Sequence, residues 1–242
     1  MKALLDKRVA FIRRCVADAN AAGIIYGNSG GKDSALVGAL CKMACENTVG
    51  LIMPCACARG YGQDRADAEV VAKHFGISTR FIDLAPARER LMQIIGEVTA
   101  LTDGAAANIA PRLRMTALYA AAASENRLVA GTGNRSEGYM GYFTKWGDGA
   151  CDFNPIADLT VTEIYALLRE LGAPRCVLDK APSAGLYEGQ TDEGEMGVTY
   201  KAVDAFLLNK QHEVSEEDKA TIERYHAASE HKRALPKTPP QE

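Results

Sequence analysis

The sequence predicts an α/β fold, a doubly wound parallel sheet with helices on both faces. Three observations predict it. Short apolar runs at 23–26, 49–53 and 128–130, and the segment 79–82, have strand length. Helix-length segments with apolar positions at helical spacing separate them, the pattern of strand–helix–strand units. Glycines follow the first and last runs, where such sheets place their ligand loops.

The elements follow in order. Leu4, Leu5, Val9, Ile12 and Val16 repeat at helical spacing, which predicts a helix over 3–22 ended by Gly23. Gly23–Tyr26 is the first strand, and a glycine-rich turn then leads into a helix over 35–44. Val49–Met53 is the second strand, stopped by Pro54. An amphipathic helix spans 63–75 and closes at Gly76, and Thr79–Ile82 is the third strand. Residues 86–125 read as helical with a break at Thr102-Asp103-Gly104, and Leu128–Ala130 is the fourth strand. Residues 131–159 read as loop. Thr160 and Glu163 form a capping-box pattern before a helix to Leu171, ended by Gly172 and Pro174. A second loop covers 179–197, and two helices follow at 199–209 and 215–229. Residues 1–242 are expected to form one domain, with 234–242 a loose proline-rich tail.

Composition narrows the function classes. A net charge of −3 leaves no basic footprint for a nucleic-acid partner. No stretch reaches the roughly 20 apolar residues of a membrane span, and the N-terminus carries no secretory core, so the cytoplasm is the expected location. Seven cysteines, an odd number set mostly in apolar runs, read as reduced thiols rather than a disulfide framework. Cys55 and Cys57 form a C-x-C whose spacing matches no common zinc finger.

The most informative stretch is IIYGNSGGKDSALVGAL, residues 24–40. Strand, glycine-rich turn and helix make an anion site, because glycine lets backbone N–H groups approach phosphate and the helix adds its positive end. A Walker A loop is one residue too long for Gly27–Lys32, and Asp33 stands where its hydroxyl belongs. A G-x-G-x-x-G fingerprint is absent. Ser29-Gly30-Gly31-Lys32-Asp33-Ser34 instead resembles the S-G-G-x-D-S loop of the ATP pyrophosphatases, the PP-loop enzymes, which cleave ATP to AMP and pyrophosphate. An aspartate at the helix start suits magnesium held against the departing phosphates.

Three further stretches, 131–174 (GTGNRSEGYMGYFTKWGDGACDFNP and onward), 180–200 (KAPSAGLYEGQTDEGEMGVTY) and 231–233 (HKR), follow in order. Together with the loop they resemble NAD synthetase in its short, ammonia-using form. The resemblance implies adenylation of the nicotinate carboxylate of deamido-NAD by ATP, then attack by ammonia to give NAD and AMP. It implies ATP contacts from Gly27, Asn28, Ser29, Gly30, Gly31, Lys32, Asp33, Ser34, Thr132 and Ser183. It implies magnesium (Mg2+) on Asp33 and Glu137, and deamido-NAD contacts from Arg112, Lys145, Asp152, His231 and Lys232. Arg114 lies two residues from Arg112, roughly 200° around a helix, so the two point apart, and Arg112 is the residue chosen. The resemblance also implies a homodimer, for which the apolar helices of 86–125 offer a surface. The length leaves little room for a glutaminase domain, so ammonia is the expected nitrogen donor.

The sequence departs from the family pattern in places. Val161 stands where many relatives carry an ATP-contacting lysine, with Lys180 or Lys32 as possible substitutes. Gly133-Asn134 replaces a common Asp-His, and 54–62, PCACARGYG, is unusual after the second strand. Two alternatives stay open at this point. One is another ATP pyrophosphatase acting on a different carboxylate; the other is a nucleotide sensor without catalysis.

Overall fold

The computed structural model describes residues 1–55, 61–180 and 191–239. Four parallel strands, β1 (Gly23–Gly27), β2 (Thr48–Ile52), β3 (Ser78–Phe81) and β4 (Arg127–Ala130), form a sheet of order β3-β2-β1-β4. The chain winds outward from β1 through β2 to β3, then returns to the other side of β1 for β4. The loops after β1 and β4 therefore diverge and leave a crevice at the strands' carboxyl ends. An isolated parallel bridge, Ala130 to Phe153, extends the sheet past β4.

Alternation along the central strand sorts the two faces. Ile24 and Tyr26 enter a core shared with α1 (Lys2–Asp18), α2 (Lys32–Ala44), α3 (Gln63–Phe75) and a later helix carrying Ile164, Leu167 and Leu168. Ile25 points the other way, to Val49, Leu51 and Val129. Between β3 and β4 come α4 (Ala85–Gly96), the short α5 (Asp103–Ala107) and α6 (Ile109–Ser124), whose buried Met115, Leu118 and Ala122 cover that face. The predicted double winding is what forms. Helix α4 buries no residue fully, and Val98 beyond it is 84% exposed.

The C-terminal half adds α7 (Arg135–Met140), α8 (Val161–Glu170), α9 (Arg175–Leu178), α10 (Asp192–Met196), α11 (Tyr200–Leu207), α12 (Glu216–Ala228) and α13 (Glu230–Arg233). Met140, Val161, Met196, Val203 and Ile222 form a third apolar cluster that holds α7 against α11 and α12. Thr160 caps α8 as expected, with the reciprocal Glu163 contact present.

Several expectations are corrected. The first helix stops at Asp18, because Asn20 takes a left-handed φ of 47° and Gly23 begins the strand instead of ending the helix. Residues 131–159 are not wholly loop: they contain α7, fixed by a capping box between Asn134 and Glu137. Likewise 179–197 contains α10, capped by Thr191. Residues 234–239 extend without regular structure, and the rest of the predicted tail lies outside the described residues. Among the described residues, no helix is long and apolar enough to cross a membrane. No group of three metal-binding side chains occurs among them either, and Cys57 lies outside them.

Candidate active site

A cavity of about 640 Å³ opens at the carboxyl ends of β1, β2 and β4. Its floor is the glycine-rich loop. Gly31 is the N-cap of α2 and no side chain caps that helix, so the first-turn N–H groups face the cavity uncompensated. The loop's own contacts are few. Ser29 Oγ meets Ser34 Oγ at 3.1 Å and receives the Gly31 N–H at 3.3 Å, and Ser34 Oγ donates to the Gly31 carbonyl at 3.0 Å. Asn28 does not face the cavity alone; its amide donates to the Ala68 carbonyl at 3.0 Å and ties the loop to α3.

The loops after β1 and β4 bring two carboxylates to one cation. Lys32 is 6% exposed, and its Nζ lies 2.8 Å from Asp33 Oδ2 and 3.9 Å from Glu137 Oε1. Burial disfavours the ammonium, but Asp33 and then Glu137 outweigh that and hold its pKa above the ordinary lysine value. Glu137 holds its proton more tightly than an exposed acid. Burial first, and the Asp33 charge second, push its pKa well above the ordinary value, against the pull of Lys32. Lys32 also stands 5.4 Å over the Tyr200 ring, whose hydroxyl donates to the buried Asp192 at 3.0 Å.

Asn134 joins the two carboxylates. Its Nδ2 donates to Asp33 Oδ1 at 3.1 Å, its Oδ1 accepts the Glu137 N–H at 2.9 Å, and its own N–H meets Glu137 Oε2 at 3.0 Å. Sequence reasoning missed Asn134 as a site residue, although the N-x-x-E capping pattern was there to read. It missed Tyr200 and Asp192 as well, and it weighed Arg114 but passed it over for Arg112.

The donor set suits magnesium. Two largely buried carboxylates stand close together, and their hard oxygen atoms match that ion. Two protein carboxylates are too few to enclose it, which agrees with magnesium that arrives on substrate phosphates.

The other predicted positions divide. Gly27, Thr132 and Lys232 line the cavity; Ser183 lies outside the described residues. Lys232 Nζ donates to the carbonyls of Gly141 (2.8 Å) and Phe143 (2.9 Å), and burial lowers its pKa. Arg112, chosen over Arg114, does not line the cavity; Arg114 does, with its Nε on the Met53 carbonyl at 3.0 Å. Arg112 is exposed and donates to the Lys145 carbonyl at 3.3 Å, while Lys145 Nζ donates to the His231 carbonyl at 2.5 Å. Asp152 accepts from the Val129 N–H (2.7 Å) and the Tyr119 hydroxyl (3.1 Å). Tyr119 is seven residues from Arg112 on α6, so both sit on one helix face. Arg112, Lys145 and His231 therefore gather outside the cavity, and Asp152 also lies off its lining.

A parallel doubly wound sheet, an uncapped helix behind a glycine-rich loop and a carboxylate pair beside it define an ATP-binding enzyme of the PP-loop class. Comparison with known proteins narrows the class. The sequence profile of the family described as NAD synthase matches residues 4–236. An NH3-dependent NAD+ synthetase of Carboxydothermus hydrogenoformans is 46% identical over 237 residues, covering 97% of this chain and 96% of that protein. A structure described as NMN synthetase from Francisella tularensis superposes with a TM-score of 0.91 at 40% identity, covering 98% of each chain. An NH3-dependent NAD synthetase from Campylobacter jejuni, in complex with nitrate, superposes at 0.82 with 28% identity and 99% coverage of both chains. The chain belongs to the NAD synthase family, and is a ligase.

Proposed function

We propose that this chain amidates deamido-NAD to NAD, with ATP cleaved to AMP and pyrophosphate and ammonia as nitrogen donor. The observation that carries the reading is the meeting of the uncapped α2 N-terminus with Asp33 and Glu137 in one cavity. That arrangement serves a triphosphate with its cation, as the activation of a poor acyl donor requires.

The chemistry has two steps. A nicotinate carboxylate oxygen attacks the α-phosphorus, and pyrophosphate leaves with the P–O bond electrons. Ammonia then attacks the acyl carbon; the C–O bond to AMP breaks and a proton is lost from nitrogen. The N–H groups of the loop and of α2 bind the departing pyrophosphate. Asp33 and Glu137 would hold magnesium, which neutralises phosphate charge when bound. Arg114 and Lys232, both cations on the cavity wall, orient the acid's anionic groups. The walls exclude water, which would otherwise hydrolyse the acyl adenylate.

The exposed set Arg112, Lys145, Asp152 and His231 belongs, in this reading, to a dinucleotide site completed by a second copy of the chain. The open surface of α4 and the exposed Val98 supply contact area for a homodimer. A second reading has its own support: the Francisella neighbour carries the name NMN synthetase, and only Lys232 of the five predicted dinucleotide residues lines this cavity. Nicotinate mononucleotide would be amidated by the same two steps and would leave the outer set unused. Steady-state assays with ammonium, ATP, magnesium and each acid in turn separate the two. A higher kcat/KM for deamido-NAD supports the first reading, and the reverse order supports the second.

A further inference from the structure

We propose that Lys180 is a positioning residue for the phosphate loop and acts through the Gly30–Gly31 peptide; this rests on residues 27–34 being the ATP phosphate loop. The Lys180 side chain is 15% exposed. Its Nζ lies 2.7 Å from Asp67 Oδ2 and 2.8 Å from Asp64 Oδ1, both on the first turns of α3, and 3.4 Å from the Gly30 carbonyl. Its own carbonyl accepts from the Tyr165 hydroxyl at 3.1 Å, which fixes the backbone that carries it.

The loop is pressed onto the same turns of α3. Gly30 has φ +71°, and a Cβ there would stand 2.6 Å from the Asp64 carbonyl and 2.8 Å from the Ala68 nitrogen. Only glycine fits that conformation at that distance. A trans peptide points its C=O and the next N–H in opposite directions. With the Gly30 carbonyl held on the α3 side by Lys180, the Gly31 N–H is turned to the other side. There it meets Ser29 Oγ, a group of the cavity wall. Without Lys180 the peptide loses what fixes its sense, and the flipped form aims a carbonyl at the phosphates.

The charges argue against a direct role for Lys180 on the triphosphate. One ammonium faces two carboxylates, so its charge is already engaged by α3. The two roles predict opposite effects of neutralising Asp67. If Lys180 positions the loop, Asp67→Asn loosens its anchor and weakens ATP binding. If Lys180 touches phosphate, the same change frees its charge and tightens binding.

The experiment is calorimetric titration of the full chain and its K180M and D67N variants with magnesium-ATP, magnesium-pyrophosphate and AMP. Loss of the charged hydrogen bond is expected to weaken ATP and pyrophosphate about tenfold or more in K180M, with AMP changed by less than about twofold. D67N, which keeps the Asp64 pair and so protects the fold, is expected to shift ATP affinity the same way by a smaller factor. Unchanged ATP affinity in K180M, an equal loss for AMP, or tighter ATP binding in D67N each overturns the proposal. Failure of the unmodified chain to bind ATP would overturn the loop assignment beneath it instead.

Discussion

The Asn134 side-chain amide donates to the Asp33 carboxylate at 3.1 Å, across 101 residues of sequence. The same side chain caps α7 and receives the Glu137 N–H. One buried asparagine thus sets the spacing of the two carboxylates assigned to magnesium. Asn134→Ala removes an N-cap worth about 1 kcal/mol. It also releases Asp33 from the β4 loop. The expected result is a lower unfolding midpoint and a severalfold higher magnesium concentration for half-maximal turnover, read from urea titration and from rates against magnesium.

Glu137 is held against its chemistry in the free protein, since burial and Asp33 both oppose its charge. Glu137→Gln relieves that strain. The variant is expected to unfold about 2–4 °C higher without ligands, the shift of roughly 1 kcal/mol in a chain of this size. Turnover is expected to fall about 100-fold or more, because phosphate charge is left without its counter-ion. Thermal scans and AMP release measure the two effects. Asp33→Asn is expected to lose turnover likewise, and full activity in that variant at saturating magnesium would refute the metal assignment.

Glu125 joins the two edge strands of the sheet. It pairs with Arg80 of β3 and accepts from Arg127 Nε of β4 at 2.7 Å. The hydrogen bonds from Arg80 and then Arg127 hold its pKa at about 2, below the ordinary 4.5. A depressed folded pKa gives stability that is complete above the unfolded value and is lost as pH falls toward the folded one. Glu125→Gln is therefore expected to cost up to about 1 kcal/mol at pH 7, the cost shrinking below about pH 4.5 and vanishing near pH 2. Urea midpoints of both proteins across that range test it.

Tyr26 is fully buried, and among the described residues its hydroxyl has no hydrogen-bond partner. Gly38 makes the space for it, since a Cβ there would stand 2.3 Å from the Tyr26 oxygen. Tyr26→Phe removes an unsatisfied polar atom and keeps the ring. A gain of about 1 kcal/mol in unfolding free energy is expected, with no change in activity. A loss of stability would show that the hydroxyl is solvated.

The strands β1, β2 and β4 were legible because each pairs a short apolar run with a glycine or proline stop, and the glycine-rich loop was legible because its residue types are costly anywhere else. Helix α7 was not. Its six residues are too short to show a period, and its capping box needs Asn134 to be recognised as a cap. Which of Arg112 and Arg114 faces the cavity was hidden for a different reason. Spacing shows that the two diverge, but only the burial of Met115 and Leu118 decides which face of α6 meets the cavity. Tyr200 and Asp192 reach Lys32 through tertiary packing that leaves no local trace.

The most direct test of the central claim, that ATP activates a carboxylate as an acyl adenylate, is the fate of carboxylate oxygen. The acid substrate is labelled with ¹⁸O in its nicotinate carboxylate, turned over with ATP, magnesium and ammonium, and the AMP is weighed by mass spectrometry. The account predicts one labelled oxygen in each AMP formed, carried there when ammonia breaks the acyl C–O bond. AMP released without label, while amide accumulates, would contradict it.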